Sequence, residues 1–238
     1  MNRRAFMTAA AAGAMAPALF SREALAQAGQ ISTASLDPAT RTSLAVVKSA
    51  FSTALDGFAL PYGDVAVGGW RNTPYVVIQN VGAYLDTPRF LDGDHPVRDA
   101  EDAEAYLARL AQFPAQLDGE LERLASAGRI GAIAPDFLLD KAIRQMELSL
   151  KDARAGGDLV SSLVRRTGTI PGDWGRRARE IASGPVAAAL ERQLTELKAQ
   201  RGHAGSDAGL SARPRGDEWY AWALRASTTT RHSPDEIH

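Results

Sequence analysis

The stretch from Asp99 to Ala127 constrains the fold more than any other part of the sequence. Asp99 is a suitable N-cap, and the apolar residues that follow recur at steps of three and four, which places them on one face of a helix. Pro114 lies within this pattern, so we expect a kink or a restart of the helix there, and Gly128 ends it. The apolar stripe consists of Tyr106, Leu110, Phe113, Leu117, Leu121 and Leu124.

The same spacing predicts helices along most of the remaining chain. Asp37 and Pro38 start a helix with an apolar stripe at Leu44, Val47, Phe51, Leu55 and Phe58. Further helices are predicted from Pro135 to Gly156, over 159–164, over 174–181, from Gly184-Pro185 to Gly202, and after Gly216. The sequence therefore predicts an all-α, multi-helix array without internal repeats.

One irregular segment interrupts this array between Pro61 and Leu91, where glycines and prolines are frequent. The β-like run Tyr75–Ile78 allows either a short hairpin near 65–80 or an extended loop. Trp70, Tyr75 and Tyr84 could line a ligand surface, but aromatic side chains that hold an irregular segment against the core are the favoured interpretation.

The first 26 residues are typical of an export signal. Arg3 and Arg4 precede a mildly apolar, Ala-rich run and resemble a twin-arginine signal, and Ala24-Leu25-Ala26 offers a cleavage site after Ala26. A chance arginine pair on a general secretory signal and a short N-terminal helix are the alternatives. A membrane anchor is disfavoured, because the apolar run is shorter than the roughly 20 residues that span a bilayer. We expect a periplasmic or secreted protein that meets the twin-arginine machinery through Arg3 and Arg4.

Overall composition excludes several classes of function. The net charge is −1 in 238 residues, so bulk electrostatics do not favour nucleic acid as a partner. Cysteine is absent, which excludes disulfides, thiol nucleophiles and cysteine-ligated zinc.

The sequence contains none of the common catalytic or nucleotide-binding motifs, and it has only four histidines. His232 and His238 are six residues apart and do not share the i, i+4 face of a helical metal site, and His95 is interpreted as a residue of a surface turn. We assign no catalytic, cofactor-binding or metal-binding residue, and we expect the 238-residue chain by itself to be catalytically silent.

Charged clusters have structural interpretations. An acidic group opens the helix after Asp99, where it favours the helix dipole: Asp99, Glu101, Asp102 and Glu104. A basic group could bind anions but is more typical of solvated helix surfaces: Arg165, Arg166, Arg176, Arg177 and Arg179.

The end of the sequence carries a helix start. Ser233 is a good N-cap, Pro234 suits the first helical position, and Glu236 completes a capping box. We therefore expect residues 27–238 to be the N-terminal helical region of a larger domain. At least one of Trp219 and Trp222 is expected to pack against the missing C-terminal region, leaving aromatic surface exposed in its absence.

The chain also resembles a known family along residues 56–238. The segments that carry the resemblance are Gly82–Leu85, Pro88–Leu91, His95, Asp102–Leu110, Phe113-Pro114, Leu117-Asp118, Gly131, Pro135 and the terminal run from Gly216 through Trp219-Tyr220 and Thr228–Thr230 to His238. In this order they are similar to the bacterial family called domain of unknown function 885.

The resemblance implies a protein more than twice as long, with a zinc metallopeptidase-like site of the HExxH type beyond His238. Zinc would then belong to the full-length protein and not to this chain. The alternative is an exported helical binding or scaffold module without catalytic activity.

Overall fold

A computed structural model describes residues 16–67 and 72–237 of the chain. Helices dominate these residues, and no strand longer than an isolated bridge occurs among them, which confirms the all-α prediction. In chain order the helices are α1 (Ala16–Gln30), α2 (Pro38–Phe58), α3 (Ala83–Gly93), α4 (Ala100–Arg129), α5 (Asp136–Ala155), α6 (Asp158–Arg166), α7 (Trp174–Ile181), α8 (Ala187–Arg201), α9 (Gly216–Thr228) and α10 (Pro234–Ile237), with a π-helical turn at Ala182–Val186 and a 3₁₀ turn at Leu210–Ala212.

The chain divides into two compact units. Residues 75–208 form the central unit, and residues 1–74 together with 209–238 form the terminal unit. The prediction that residues 27–238 belong to one larger domain stays a prediction.

The central unit is built around α4, as the sequence predicts. Tyr106, Leu110 and Leu117 on its apolar face are completely buried, and α8 packs against both α4 and α5. Gln193 and Gln200, seven residues apart on α8, donate hydrogen bonds to the carbonyls of Leu117 (3.2 Å) and Leu124 (2.9 Å), which are also seven residues apart on α4. These two amides fix the register of α8 along α4.

Two predicted interruptions of helices do not occur. Pro114 does not restart the helix, because α4 continues as one helix to Arg129, and the alternative of a kink at Pro114 stays a prediction. At Gly184-Pro185 the chain also stays helical, because a π-helical turn joins α7 to α8. This turn accommodates Pro185, which lacks the N–H that a regular α-helix would use for a hydrogen bond.

The N-terminus of α3 is capped by another helix. The residue before it is Gly82, which has a φ of 134° and no side chain that could accept a hydrogen bond. Instead, the buried carboxylate of Glu120 on α4 accepts from the Ala83 main-chain N–H at 2.8 Å and from the Gln193 amide at 3.1 Å. A carboxylate at this position stabilises the positive end of the helix dipole, and it links α3, α4 and α8.

Within residues 61–67 and 72–91, the segment predicted to be irregular forms no regular hairpin, and it is helical from Ala83 onward, where α3 begins. Two isolated antiparallel bridges, Asp64 with Thr73 and Ile78 with Val81, replace the hairpin. Val76 and Val77 are buried in the central core, and the buried Tyr84 hydroxyl lies 2.9 Å from the Ile78 carbonyl oxygen. Tyr84 therefore holds this segment against the core, whereas Trp70 lies outside the described residues.

The terminal unit has fewer buried side chains. Asp37 caps α2 as predicted, accepting from the main-chain N–H groups of Ala39 and Thr40. Helix α1 packs on α2, with the rings of Phe20 and Phe51 in edge-to-face contact at 6.1 Å. Val47 is 42% exposed, so the predicted apolar stripe of α2 is only partly covered.

Candidate binding groove

The terminal unit contains an open groove of about 650 Å³ between α2, the residues Ala66 and Asn72, and the C-terminal end of α9. Helix α2 contributes small and hydroxylated side chains, and α9 contributes larger and charged ones. The residues that line it are Thr42, Ala45, Val46, Ser49, Ala50, Ser52, Thr53, Ala54, Asp56, Ala66, Asn72, Trp222, Arg225, Ala226, Thr229, Thr230 and Arg231.

Two opposite faces of helix α2 have different neighbours. Residues two apart on an α-helix point about 200° away from each other, so Ser49 and Phe51 lie on nearly opposite sides. Phe51 contacts α1, and Ser49 lines the groove. The groove face continues from Thr42 to Asp56, about 21 Å at 1.5 Å per residue.

Two tryptophans of α9 fix this helix within the terminal unit. Trp222 is 6% exposed and donates its indole N–H to the Thr53 carbonyl at 2.8 Å, and Trp219 is 3% exposed and donates to the Tyr62 carbonyl at 3.3 Å. The expectation that one of them faces a missing region, with aromatic surface left open, is therefore wrong for both. Of the aromatic residues on α9, Tyr220 is the exposed one.

Gly57 makes this packing possible. A Cβ at Gly57 would lie 2.2 Å from Cζ2 of Trp222, so only glycine lets the indole reach the floor of the groove.

Two arginines provide the positive charge of the groove. Arg225 pairs with Asp56 at 2.6 Å, whereas Arg231 is exposed and has no carboxylate partner in residues 16–67 and 72–237. Asn72 accepts from the Ala66 N–H at 2.9 Å, which fixes the orientation of its amide group. Its Nδ2 and the Nε of Arg225 are buried donors without an acceptor among the described residues, a situation that most proteins avoid.

Thr229 is strained at the end of the groove. It ends α9 with φ 58° and ψ 14°, a left-handed conformation in which a β-branched residue is a real outlier. Strain of this kind is tolerated where the surrounding structure over-determines it, and it concentrates at functional sites.

The predicted capping box forms next to it. The Ser233 N–H donates to Glu236 Oε2 at 2.7 Å, and the Glu236 N–H donates to Ser233 Oγ at 3.3 Å. His232 is exposed beside this cap, and His238 lies outside the described residues.

His95 differs from its prediction. It is 3% exposed in the central unit, with its ring in edge-to-face contact with Tyr106. Arg109 donates to Nδ1 at 2.8 Å, so Nε2 carries the proton and donates to the Asp102 carbonyl at 3.0 Å. Burial lowers the pKa of His95, and the positive charges of Arg109 and Arg166 add to this effect. No sequence signal distinguishes this buried histidine from one in a surface turn.

The arginines of the basic group contact carboxylates or main-chain carbonyl oxygens. Arg165 pairs with Asp92, Arg177 with Glu104, and Arg176 with both Asp173 and Glu180. Arg166 donates to the carbonyls of Leu91 and His95 and lies over the ring of Tyr106, and Arg179 donates to the Ala155 carbonyl. Asp99 caps α4 through the Asp102 N–H.

Metal-binding chemistry does not fit the residues that the structure describes. No group of three histidine, aspartate or glutamate side chains there is arranged to hold an ion. Both ring nitrogens of His95 are engaged in hydrogen bonds, so this histidine offers no lone pair to a metal. No helix in residues 16–67 and 72–237 is long and apolar enough to cross a membrane.

The fold and the groove together define an all-α protein with two helical units and an open groove. The family described as "Bacterial protein of unknown function (DUF885)" matches residues 4–238, and the chain belongs to it. No curated protein matches the chain.

A solved structure shares the fold. It is described as "the putative lipoprotein from Colwellia psychrerythraea" and matches with a TM-score of 0.83 at 18% sequence identity. The match covers 95% of this chain and 40% of the Colwellia chain. This chain thus spans less than half the length of the protein whose fold it shares.

Proposed function

We propose that this chain is the N-terminal helical part of a larger exported protein, and that the whole protein is a zinc-dependent hydrolase. The observation that supports this best is the match to the Colwellia structure, in which the fold of nearly the whole chain corresponds to 40% of a longer chain. The resemblance within the DUF885 family adds the expectation of an HExxH motif in the remaining part.

In this proposal the residues described here do not hold the zinc ion, because they offer no suitable group of ligands. An HExxH site beyond residue 238 would supply two histidine ligands and a glutamate that activates a zinc-bound water. The central unit would serve as a rigid wall of the substrate channel, since it holds the continuous hydrophobic core and several of its arginines are paired with carboxylates.

Export is the second element of the proposal. Arg3 and Arg4 would address the chain to the twin-arginine machinery, but residues 1–15 lie outside the described residues. The proposed cleavage site after Ala26 falls inside α1. These 238 residues contain no cysteine, so a lipid attached through a cysteine sulfur is excluded for them.

A helical binding or scaffold module without catalysis is the second candidate. The open groove favours it, because a groove with hydroxyl groups and with an arginine, Arg231, that has no carboxylate partner in the described part of the chain can bind a partner without any catalytic group.

The test is to isolate the natural protein from the envelope and soluble fractions of its host and to measure its intact mass, N-terminus and zinc content. We expect a mass well above 25.4 kDa, a start at Gln27 and about one zinc per chain. A zinc-free product of this mass or less would contradict the hydrolase proposal and favour the scaffold.

Two variants separate the export route from the enzyme. Arg3→Lys combined with Arg4→Lys should keep the protein in the cytoplasm, and unchanged export would exclude the twin-arginine route only. The 238-residue chain should show no zinc-dependent hydrolysis of peptides or esters, and activity abolished by His232→Ala with His238→Ala would contradict the proposed placement of the site.

A further inference from the structure

We infer that a helix from the part of the same polypeptide beyond residue 238 docks into the groove of the terminal unit. This inference rests on the proposed function, because its occupant exists only if the protein is longer. It assigns to the groove a docking role that the proposed hydrolase function does not specify.

The shape of the groove fits a helix. Its α2 wall runs for about 21 Å, the length of a helix of about four turns. The residues along this wall are small, among them Ala45, Ser49 and Thr53, and small residues allow two helix axes to approach closely.

The burial of α2 shows that this face has no helix packed over it among the described residues of the terminal unit. In a helix of 21 residues only Leu44, Ala54 and Gly57 are buried, and Val46 in the groove is 62% exposed. Helix α1 contacts Phe51, on the side away from Ser49, so it does not occupy the groove.

Charge specifies the partner further. Asp56, the carboxylate of the lining, is already paired with Arg225, and Arg231 has no partner among the described residues. A docked helix with an aspartate or glutamate facing Arg231 would complete the pairing, and alanine, serine or valine on its inner face would match the small residues of α2. The occupant is therefore an amphipathic helix with a small apolar face and one acidic residue.

The choice of the same polypeptide follows from length. The corresponding fold is 40% of the Colwellia chain, so a protein of that size has further chain available to cover the groove at a high effective concentration.

These 238 residues contain no cysteine, so an introduced cysteine is the only thiol in them that can react with a maleimide. Ser49→Cys places a thiol on the exposed groove face, and Ser161→Cys places one on an exposed position of α6 in the central unit. Each variant is prepared in the 238-residue chain and in the full-length protein, and the rate of maleimide labelling is measured at several protein concentrations.

We expect Ser49→Cys to react at least about tenfold more slowly in the full-length protein than in the 238-residue chain, while Ser161→Cys reacts similarly in both. Reversing the free cation with Arg231→Glu should weaken that protection, and the matched reversal Lys151→Glu on α5 should leave it unchanged.

Equal labelling of Ser49→Cys in both proteins would overturn the inference while leaving the proposed function intact. The inference would also be overturned if Ser49→Cys already reacted much more slowly than Ser161→Cys in the 238-residue chain. If that protection rises with concentration, a second copy occupies the groove. If no longer product exists, the proposed function and this inference fail together, and the intact mass identifies that case.

Discussion

The central and terminal units are both helical, but they are stabilised to different degrees. The continuous hydrophobic core lies entirely within residues 75–208, where Phe113, Met146 and Leu163 are buried to within 1%. In the described part of the terminal unit the buried apolar side chains are few, and the largest of them are Trp219 and Trp222.

Polar groups differ between the units in the same way. In the central unit Arg165, Arg177 and Arg201 each have a carboxylate partner, and Glu120 caps a helix. Among the described residues of the terminal unit, Arg231 has no carboxylate partner, Asn72 Nδ2 and Arg225 Nε are buried donors without an acceptor, and Thr229 is strained. In the described residues of the central unit, Gln79 Oε1 and Gln193 Oε1 are buried acceptors without a donor. The candidate binding groove lies in the unit with the smaller core, the one that carries Arg231 and Thr229.

The most sensitive test of this contrast makes one substitution in each unit. Phe113→Ala removes a ring that is 1% exposed, and we expect it to lower the free energy of unfolding by about 3–5 kcal/mol. Phe51→Ala removes a half-buried ring of α2, and we expect less than half of that loss. Urea denaturation followed by circular dichroism measures both, and equal losses would mean that the two cores are equally well packed.

The second test concerns the close contact under Trp222. Gly57→Ala would place a Cβ 2.2 Å from the indole and 2.9 Å from Cγ1 of Val65, so we expect a loss of about 1–3 kcal/mol. The matched control Gly119→Ala lies within α4 with nothing within 4 Å of its Cβ, and it should stabilise by up to about 1 kcal/mol. Thermal melts would compare the two, and a neutral Gly57→Ala would show that α9 can move away from α2 without cost.

The third test uses pH on the central unit. The folded pKa of His95 is lowered, so the unfolded chain, with its ordinary value near 6.5, binds the proton more tightly. The contribution of His95 is therefore complete above about pH 6.5 and is lost as the pH falls below it. We expect stability to rise with pH between about 5 and 7, ahead of the acid range in which Asp92, Asp102 and Glu104, whose pKa values are lowered by their arginine partners and hydrogen bonds, are protonated.

The variant His95→Gln isolates this effect. It should cost about 1–2 kcal/mol near pH 7.5, because the partners of the imidazole lose hydrogen bonds, and it should flatten the rise between pH 5 and 7. Chemical denaturation at half-unit pH intervals gives both quantities. A variant that keeps the full slope would assign the pH dependence to other groups.

The smallest expected effect is at the end of the groove. Thr229→Gly removes the penalty of a left-handed threonine and should stabilise the chain by about 1 kcal/mol. Thr195→Gly, within the regular helix α8, should destabilise it by a similar amount. If Thr229→Gly is stabilising but weakens the protection of Ser49→Cys in the full-length protein, the strain serves the docking of the helix.

The sequence by itself determined most of the helices and several of their ends, but it did not predict α3, which begins inside the segment expected to be irregular. The bounds of α7 agree with the prediction over 174–181, Asp37 and Asp99 cap the helices that they were predicted to cap, and the αL cap of α5 is Gly156. These features depend on residues within one or two turns of each other, so spacing and capping signals report them directly.

Only the tertiary structure decided which of these surfaces are covered. The burial of His95 depends on Arg109 and Tyr106, and the cap of α3 comes from Glu120, 37 residues beyond the N–H that it accepts. The groove forms where Trp222 reaches the Thr53 carbonyl across 169 residues of sequence. Contacts between segments so far apart depend on how whole helices pack, and the local periodicity of a sequence carries no information about which distant surface will meet which.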